Sequence, residues 1–213
     1  MRTKPYATSL ALFDEVELLD VTGPLAVLSA AGRQWNFQPF KIDLVAPELG
    51  AVATRSGLSL QATRTLTTSS EVDCLIIPGG YGARTAARNP ALLDWVRRAA
   101  ASAELVACIG NGALILGQAG LLSDVEVATT LELSSELGQL CPSARPNPRA
   151  TVCASGKILS ARASALGLDL ACEIVARCFG KKLASSLSTS LGIDWSGELS
   201  GLDILPGPLL GNK

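Results

Sequence analysis

The sequence predicts a doubly wound α/β domain, a mostly parallel sheet with helices on both faces. Three observations point there. Short apolar runs that read as strands alternate along the chain with longer segments whose apolar residues recur at helical spacing. Two of those runs, 73–77 (DCLII, apolar once past Asp73) and 105–109 (LVACI), are continuously apolar, as strands buried on both faces of a parallel sheet are. Both stop at glycine turns that lead straight into helix-like sequence, the order of a strand–turn–helix unit.

In chain order, residues 9–12 form a short buried first strand. A loop around Asp20 follows, and Gly23-Pro24 opens a helix with the sequence LAVLSAAGRQW. Residues 40–45, 51–54 and 58–62 read as further strands. The 73–77 strand ends at Pro78-Gly79-Gly80, and Asn89-Pro90 begins the amphipathic helix ALLDWVRRAAAS. The 105–109 strand ends at Gly110-Asn111-Gly112 and passes into the helix ALILGQAG. Strands at 150–153 and 158–161 flank a Ser155-Gly156 turn, and a long helix covers 165–179. The spacing gives one domain over 1–195 and a Gly/Pro-rich arm over 196–213, read as a surface arm or dimer contact.

The 213 residues are enough for one well-buried core; 48% are hydrophobic and 17% charged, a globular balance. Eighteen basic residues face nineteen acidic ones with no basic patch, which favours neither nucleic acid nor an anionic membrane as partner. The amino-terminal apolar run is interrupted at Asp14 and Glu15 and reads as a strand, not an export signal; with no spanning stretch, the expected location is cytoplasmic. The six cysteines form no CxxC pair, and most sit in apolar runs, so they read as reduced, mostly buried thiols. Histidine is absent, which removes imidazole as base, acid or metal ligand; no metal and no cofactor is expected.

In an open parallel sheet, ligands bind beyond the carboxyl ends of the strands. Three segments reach that edge: the Asp20 loop, the Gly79-Gly80-Tyr81 turn and the Gly110-Asn111 turn. Gly79 and Gly80 can present bare N–H groups to a developing oxyanion, although a tight turn alone would explain them. The turn at Gly110 has the strand-to-helix form in which a Ser or Cys nucleophile is usually displayed, yet glycine stands there.

These segments resemble the PfpI/ThiJ superfamily, relatives of the Parkinson-associated deglycase. Within it they are similar to the isonitrile hydratase-like branch and to the amino-terminal domains of some AraC-type regulators. The resemblance covers about 10–191 and rests on LLDVTGPLAVLSAAG, DCLIIPGGYGAR, GALILGQAGLLSDVEVATT and ALGLDLACEIVARCFG. It implies a flavodoxin-like, class I glutamine amidotransferase-like fold and a homodimer. The family's Cys-Thr-Gly-Ala falls on Gly110-Asn111-Gly112-Ala113, so Gly110 replaces the nucleophile and Asn111 the threonine. A histidine common in the hydratase-like branch falls on Leu131, and a glutamate that often follows the Gly-Pro pair falls on Ala26. Asp20 matches the acidic residue that lies near the cysteine in isonitrile hydratases.

Asp20 in its apolar context is a candidate acid or base if desolvated, or else a helix cap. Cys108 is the alternative nucleophile, on the same sheet face as Gly110 but about 6–7 Å deeper along the strand, where a small core residue is the simpler reading. Asn111 can orient a ligand, Arg162 can hold an anionic group or lie exposed at a strand end, and Tyr81 can line the pocket or face solvent. The residues leave two functions open. One is a small-molecule enzyme that uses Asp20 for cysteine-independent acid/base chemistry (hydration, elimination or cyclisation), with Gly79 and Gly80 as the oxyanion site. The other is a non-catalytic ligand-binding or regulatory protein. A direct transcription factor is disfavoured because the sequence leaves no room for a helix-turn-helix domain.

Overall fold

The structure, a computed structural model, describes residues 4–32, 38–68 and 71–197. The chain begins with β1 (Tyr6–Ala11), α1 (Leu18–Ala30) and β2 (Phe40–Ala46). A hairpin of β3 (Gly50–Ala53) and β4 (Ser59–Ala62) follows, then β5 (Arg64–Thr65) and β6 (Cys74–Ile77). Next come α2 (Ala83–Ala86), α3 (Pro90–Ser102), β7 (Leu105–Ile109) and α4 (Gly112–Gln118). The second half adds β8 (Glu126–Ala128), α5 (Leu131–Leu140), β9 (Arg145–Asn147), β10 (Val152–Ser155) and β11 (Ile158–Ala161), then α6 (Gly167–Phe179) and α7 (Lys181–Leu191).

Seven strands form the main sheet in the order β10-β11-β7-β6-β1-β2-β5. Every pairing is parallel except the antiparallel β10–β11 hairpin, which turns at Ser155-Gly156 as the sequence predicts. Every residue of β6 and β7 is buried, the signature of strands covered on both faces. Helices α1, α6 and α7 pack together, as do α2 with α4, α3 with α4 and α4 with α5. Away from the strand carboxyl ends, Tyr6, Phe40 and Phe179 form an aromatic cluster with centroids 5.5–5.8 Å apart, tying β1 and β2 to the end of α6.

Local chemistry explains most boundaries. The Asn89 side chain accepts hydrogen bonds from Ala91 N and Leu92 N, and Pro90 occupies the first helical position, so α3 starts where the sequence places it. Helix α1 differs from expectation. It starts at Leu18, before Gly23-Pro24, and carries Pro24 in its interior. Proline has no N–H to give the Asp20 carbonyl, a defect normally costing about 3 kcal/mol. Burial of Val21, Val27 and Leu28 and packing against α6 outweigh it, and Asp20 therefore sits in a helical turn instead of a loop.

The short elements β5, β8, β9 and α2 are too brief for a periodic pattern to mark them, and the helices α5 and α7 add to those the sequence reading names. Residues 33–35, taken as the end of the first helix, and 198–213 of the predicted arm lie outside the described residues. No described helix is long and apolar enough to cross a membrane.

Close packing at the strand ends makes one testable demand. A Cβ on Gly112 would collide with the Ile77 carbonyl and stand 2.8 Å from the Pro78 carbonyl, whereas one on Gly138 in α5 would meet nothing within 4 Å. Gly112→Ala is expected to destabilise the fold by about 2 kcal/mol or more. Gly138→Ala is expected to stabilise it by roughly 0.5–1 kcal/mol. Urea denaturation of both variants checks the opposite signs.

Candidate active site

The ends of β1, β6 and β7 meet at one point, and Asp20 is delivered there by the first turn of α1. Its side chain is 1% exposed. Oδ2 accepts a 2.7 Å hydrogen bond from Gly79 N, while Oδ1 has no hydrogen-bond partner among the described residues. Burial pushes its pKa up from 3.8 to about 6; the neighbouring Ser164 hydroxyl and the Gly79 amide pull it back down, and Glu17 adds a smaller push upward. Ser164 acts at close range without completing a hydrogen bond to Oδ1. The capping role is not seen: Asp20 lies inside α1 and its carboxylate turns to another loop.

Gly79 is enclosed. The point where its Cβ would stand lies 2.6 Å from Ile109 O and 2.9 Å from both Asn111 N and Asp20 Oδ2. The carboxylate and the turn after β7 are therefore close neighbours. Gly80 has φ +114 and packs against the backbone of Val16 and Glu17, so no larger residue fits. Asn111 Nδ2 donates to Gly80 O at 3.2 Å and staples the two turns together. The expected oxyanion pair needs one correction. The Gly79 N–H is already given to Asp20, whereas the N–H groups of Gly80 and Asn111 have no partner among the described residues.

Gly110 adopts φ +49, the left-handed conformation of a sharp strand-to-helix turn, and its N–H donates to Ala161 O at 2.9 Å. A Cβ there would find only Arg162 O, 4.0 Å away. The position is thus sterically open above a tightly packed floor.

Three other predicted residues sit elsewhere. The backbone of Arg162 abuts Gly110, but its guanidinium turns away and Nη1 donates to Pro148 O at 3.0 Å and Arg149 O at 3.5 Å. Tyr81 is 65% exposed, with the Arg55 guanidinium 4.9 Å above its ring. It lines a groove of about 550 Å³ with Asp14, Glu15, Glu48 and Asn89, and neither Asp20 nor Gly110 borders that groove. Arg55 is in turn paired with Glu15 at 2.8 Å. Glu15 has a φ of 60, an uncommon conformation for a non-glycine residue; its N–H bonds Ala53 O and its carbonyl accepts from Gly82 N.

Cys108 is buried with a thiol pushed up to about 12 by desolvation, the neighbouring Cys153 adding to it. All six cysteines are buried and free. Ser164 was missed by sequence reasoning: it reaches Asp20 only because the turn before α6 packs on α1, and no local pattern announces that contact.

The DJ-1/PfpI family profile matches residues 8–177. The chain belongs to the DJ-1/PfpI family. Isonitrile hydratase of Pseudomonas putida is 34% identical over 118 residues, which is 55% of this chain and 49% of the hydratase; the match thus spans about half of that relative. A ThiJ/PfpI family protein from Pseudomonas syringae superposes with a TM-score of 0.78 at 24% identity, covering 90% of this chain and 76% of that one. An AraC family transcriptional regulator from Pseudomonas putida gives 0.75 at 26% identity over 88% of this chain and 100% of that one. The predicted α/β fold is therefore the fold of this DJ-1/PfpI member.

Two measurements follow. Folding raises the Asp20 pKa from 3.8 to about 6, so the folded chain keeps a proton that the unfolded chain releases. The stability this contributes is complete below 3.8 and lost as pH rises through about 6, a fall of about 3 kcal/mol. Asp20→Asn retains an acceptor for Gly79 N–H and should remove that fall, making it the more stable protein near neutral pH; urea midpoints from about pH 4 to 7 measure the difference. The thiols of Cys74, Cys108, Cys153 and Cys172 in the native protein should resist iodoacetamide at mildly alkaline pH and react once it is unfolded, because burial disfavours their thiolates. Rapid labelling of Cys108 in the native state at mildly acidic pH would restore a thiol mechanism.

Proposed function

We propose that the protein is a small-molecule enzyme in which Asp20 carries out cysteine-independent acid/base chemistry, with hydration as the first reaction to test. The observation that carries this reading is the state of the Asp20 carboxyl. It is buried, fixed through Oδ2 by Gly79 N–H, without a hydrogen-bond partner at Oδ1 among the described residues, and poised near pH 6 beside an open turn. A structural aspartate would be expected to have both oxygens satisfied and a low pKa. A carboxyl that exchanges its proton near neutral pH suits general acid and base work.

The isonitrile hydratase relative suggests isonitriles as the first substrates. Hydration of R–NC by one water gives the formamide R–NH–CHO. In this reading neutral Asp20 gives its proton to the terminal carbon, water adds to the same carbon, and the resulting carboxylate takes back a proton from that water. The imidic acid so formed tautomerises to the formamide. The free N–H groups of Gly80 and Asn111 border the turn and are the donors available to an electron-rich centre. Gly110 supplies space and no nucleophile, so no covalent adduct forms at that position.

A second reading, ligand binding without turnover, is favoured by the likeness to the AraC family regulator, whose whole chain is covered. In that case the open turn holds a ligand and Asp20 only orients it.

Turnover of alkyl isonitriles to formamides, followed by NMR, separates the two. The expected kcat/KM is highest below about pH 6 and declines above it, because the neutral acid is the active form. Asp20→Asn should lower it by about a hundredfold or more. Undiminished turnover in Asp20→Asn removes Asp20 from the chemistry. Saturable binding without turnover of isonitriles or of other hydratable, eliminable or cyclisable substrates selects the binding protein.

A further inference from the structure

We propose that the pocket lined by Arg145 and Arg149, to whose loop Arg162 is hydrogen-bonded, binds an oxyanion group, carboxylate or phosphate, and that the ligand of this protein is a small molecule carrying such a group. The pocket, about 310 Å³, is lined by Glu126, Arg145, Pro146, Asn147, Pro148 and Arg149, on the short β8–β9 sheet and the loop after it. Arg162, just after β11, is tied to the same loop through the carbonyls of Pro148 and Arg149.

The charge balance is the first argument. Arg55, Arg64, Arg84, Arg97 and Arg177 each hold a carboxylate within 3.5 Å. Among the described residues the guanidinium groups of Arg88, Arg98, Arg145, Arg149 and Arg162 hold none, and the last three gather at the same loop: Arg145 donates only to Asp124 O and Arg162 only to carbonyls. Glu126 is the single carboxylate in the lining, and its Oε1 is engaged by Asn147 Nδ2 at 2.6 Å. With more guanidinium groups than carboxylates at the pocket the local potential stays positive, and an oxyanion that accepts a forked pair of N–H bonds is its natural complement.

The second argument is rigidity. Asn147 Oδ1 accepts from Arg149 N at 3.0 Å and Ala150 N at 3.1 Å, so Asn147 fixes the loop that presents Arg149 while also holding Glu126 aside. The third is continuity with the elbow. The Arg162 carbonyl is the atom nearest to the open position above Gly110, while its side chain spans to the pocket. In the proposed mode one molecule places its reacting atoms over Gly110 and Asp20 and its anionic end among the arginines. That last step rests on the Asp20 reading; the anion site does not.

The test titrates the native protein with sodium phosphate and, separately, with sodium succinate at constant low ionic strength, reading the arginine Nε–Hε signals by NMR. Saturating shifts at Arg145, Arg149 and Arg162 with either anion are expected, and the tighter of the two identifies the group. Arg145→Gln/Arg149→Gln should weaken binding by about tenfold or more, and Asp20→Asn should leave it unchanged. Shifts that never saturate, or that sodium chloride reproduces, would mean simple screening and would overturn the site. Unchanged affinity in the double variant would overturn it as well. The two proposals fail separately: anion binding with full turnover in Asp20→Asn removes the acid/base reading and leaves the site standing, while loss of turnover in Asp20→Asn with no saturable anion binding does the reverse.

Discussion

The hydrogen bond from Gly79 N–H to the buried Asp20 carboxylate is the contact around which the strand ends are arranged. It joins the first turn of α1 to the turn after β6, and the same glycine lies against Ile109 O and Asn111 N from the turn after β7. No side chain fits between these backbones, so the carboxylate is sealed from water on that side. A charge held in such a place loses hydration that one amide cannot restore, and the group answers by keeping its proton. The weakened acidity of Asp20 is thus chiefly a product of burial, with Glu17 a smaller contributor.

The same packing explains the division of labour among the glycines. Gly80 and Gly112 fill approaches too close for a Cβ, whereas Gly110 has a left-handed backbone and open space. The stapling bond from Asn111 to Gly80 O uses one side-chain donor to hold the two turns, leaving the backbone amides of both available. A rigid floor with free donors at its rim is suited to binding electron-rich groups whatever their later fate.

How much of this was legible in the sequence depends on the range of the interaction. The uninterrupted apolar runs of β6 and β7, the Asn89-Pro90 cap and the Gly110 turn are local patterns, and the structure has them where the sequence places them. The start of α1 was misread because Pro24 is a strong local breaker and the packing of α1 on α6, which overrides it, is a tertiary effect. The glycine-rich turn suggested an oxyanion donor at Gly79, but its true partner is Asp20, 59 residues away in the chain. Ser164 and the direction of the Arg162 side chain depend on loops whose course no periodicity encodes.

Gly110 has a consequence for how the fold can be altered. Its own backbone holds the sharp turn, the N–H donating to Ala161 O and the carbonyl accepting from Ala113 N at the start of α4. The conformation therefore needs no side chain to maintain it, and an L-residue placed there would pay about 1–2 kcal/mol for the left-handed backbone without displacing a neighbour. The turn is a ready-made mounting point: a thiol, a hydroxyl or an unnatural reactive group could be installed beside a carboxyl already tuned to accept or release a proton, leaving the rest of the molecule to keep its own shape.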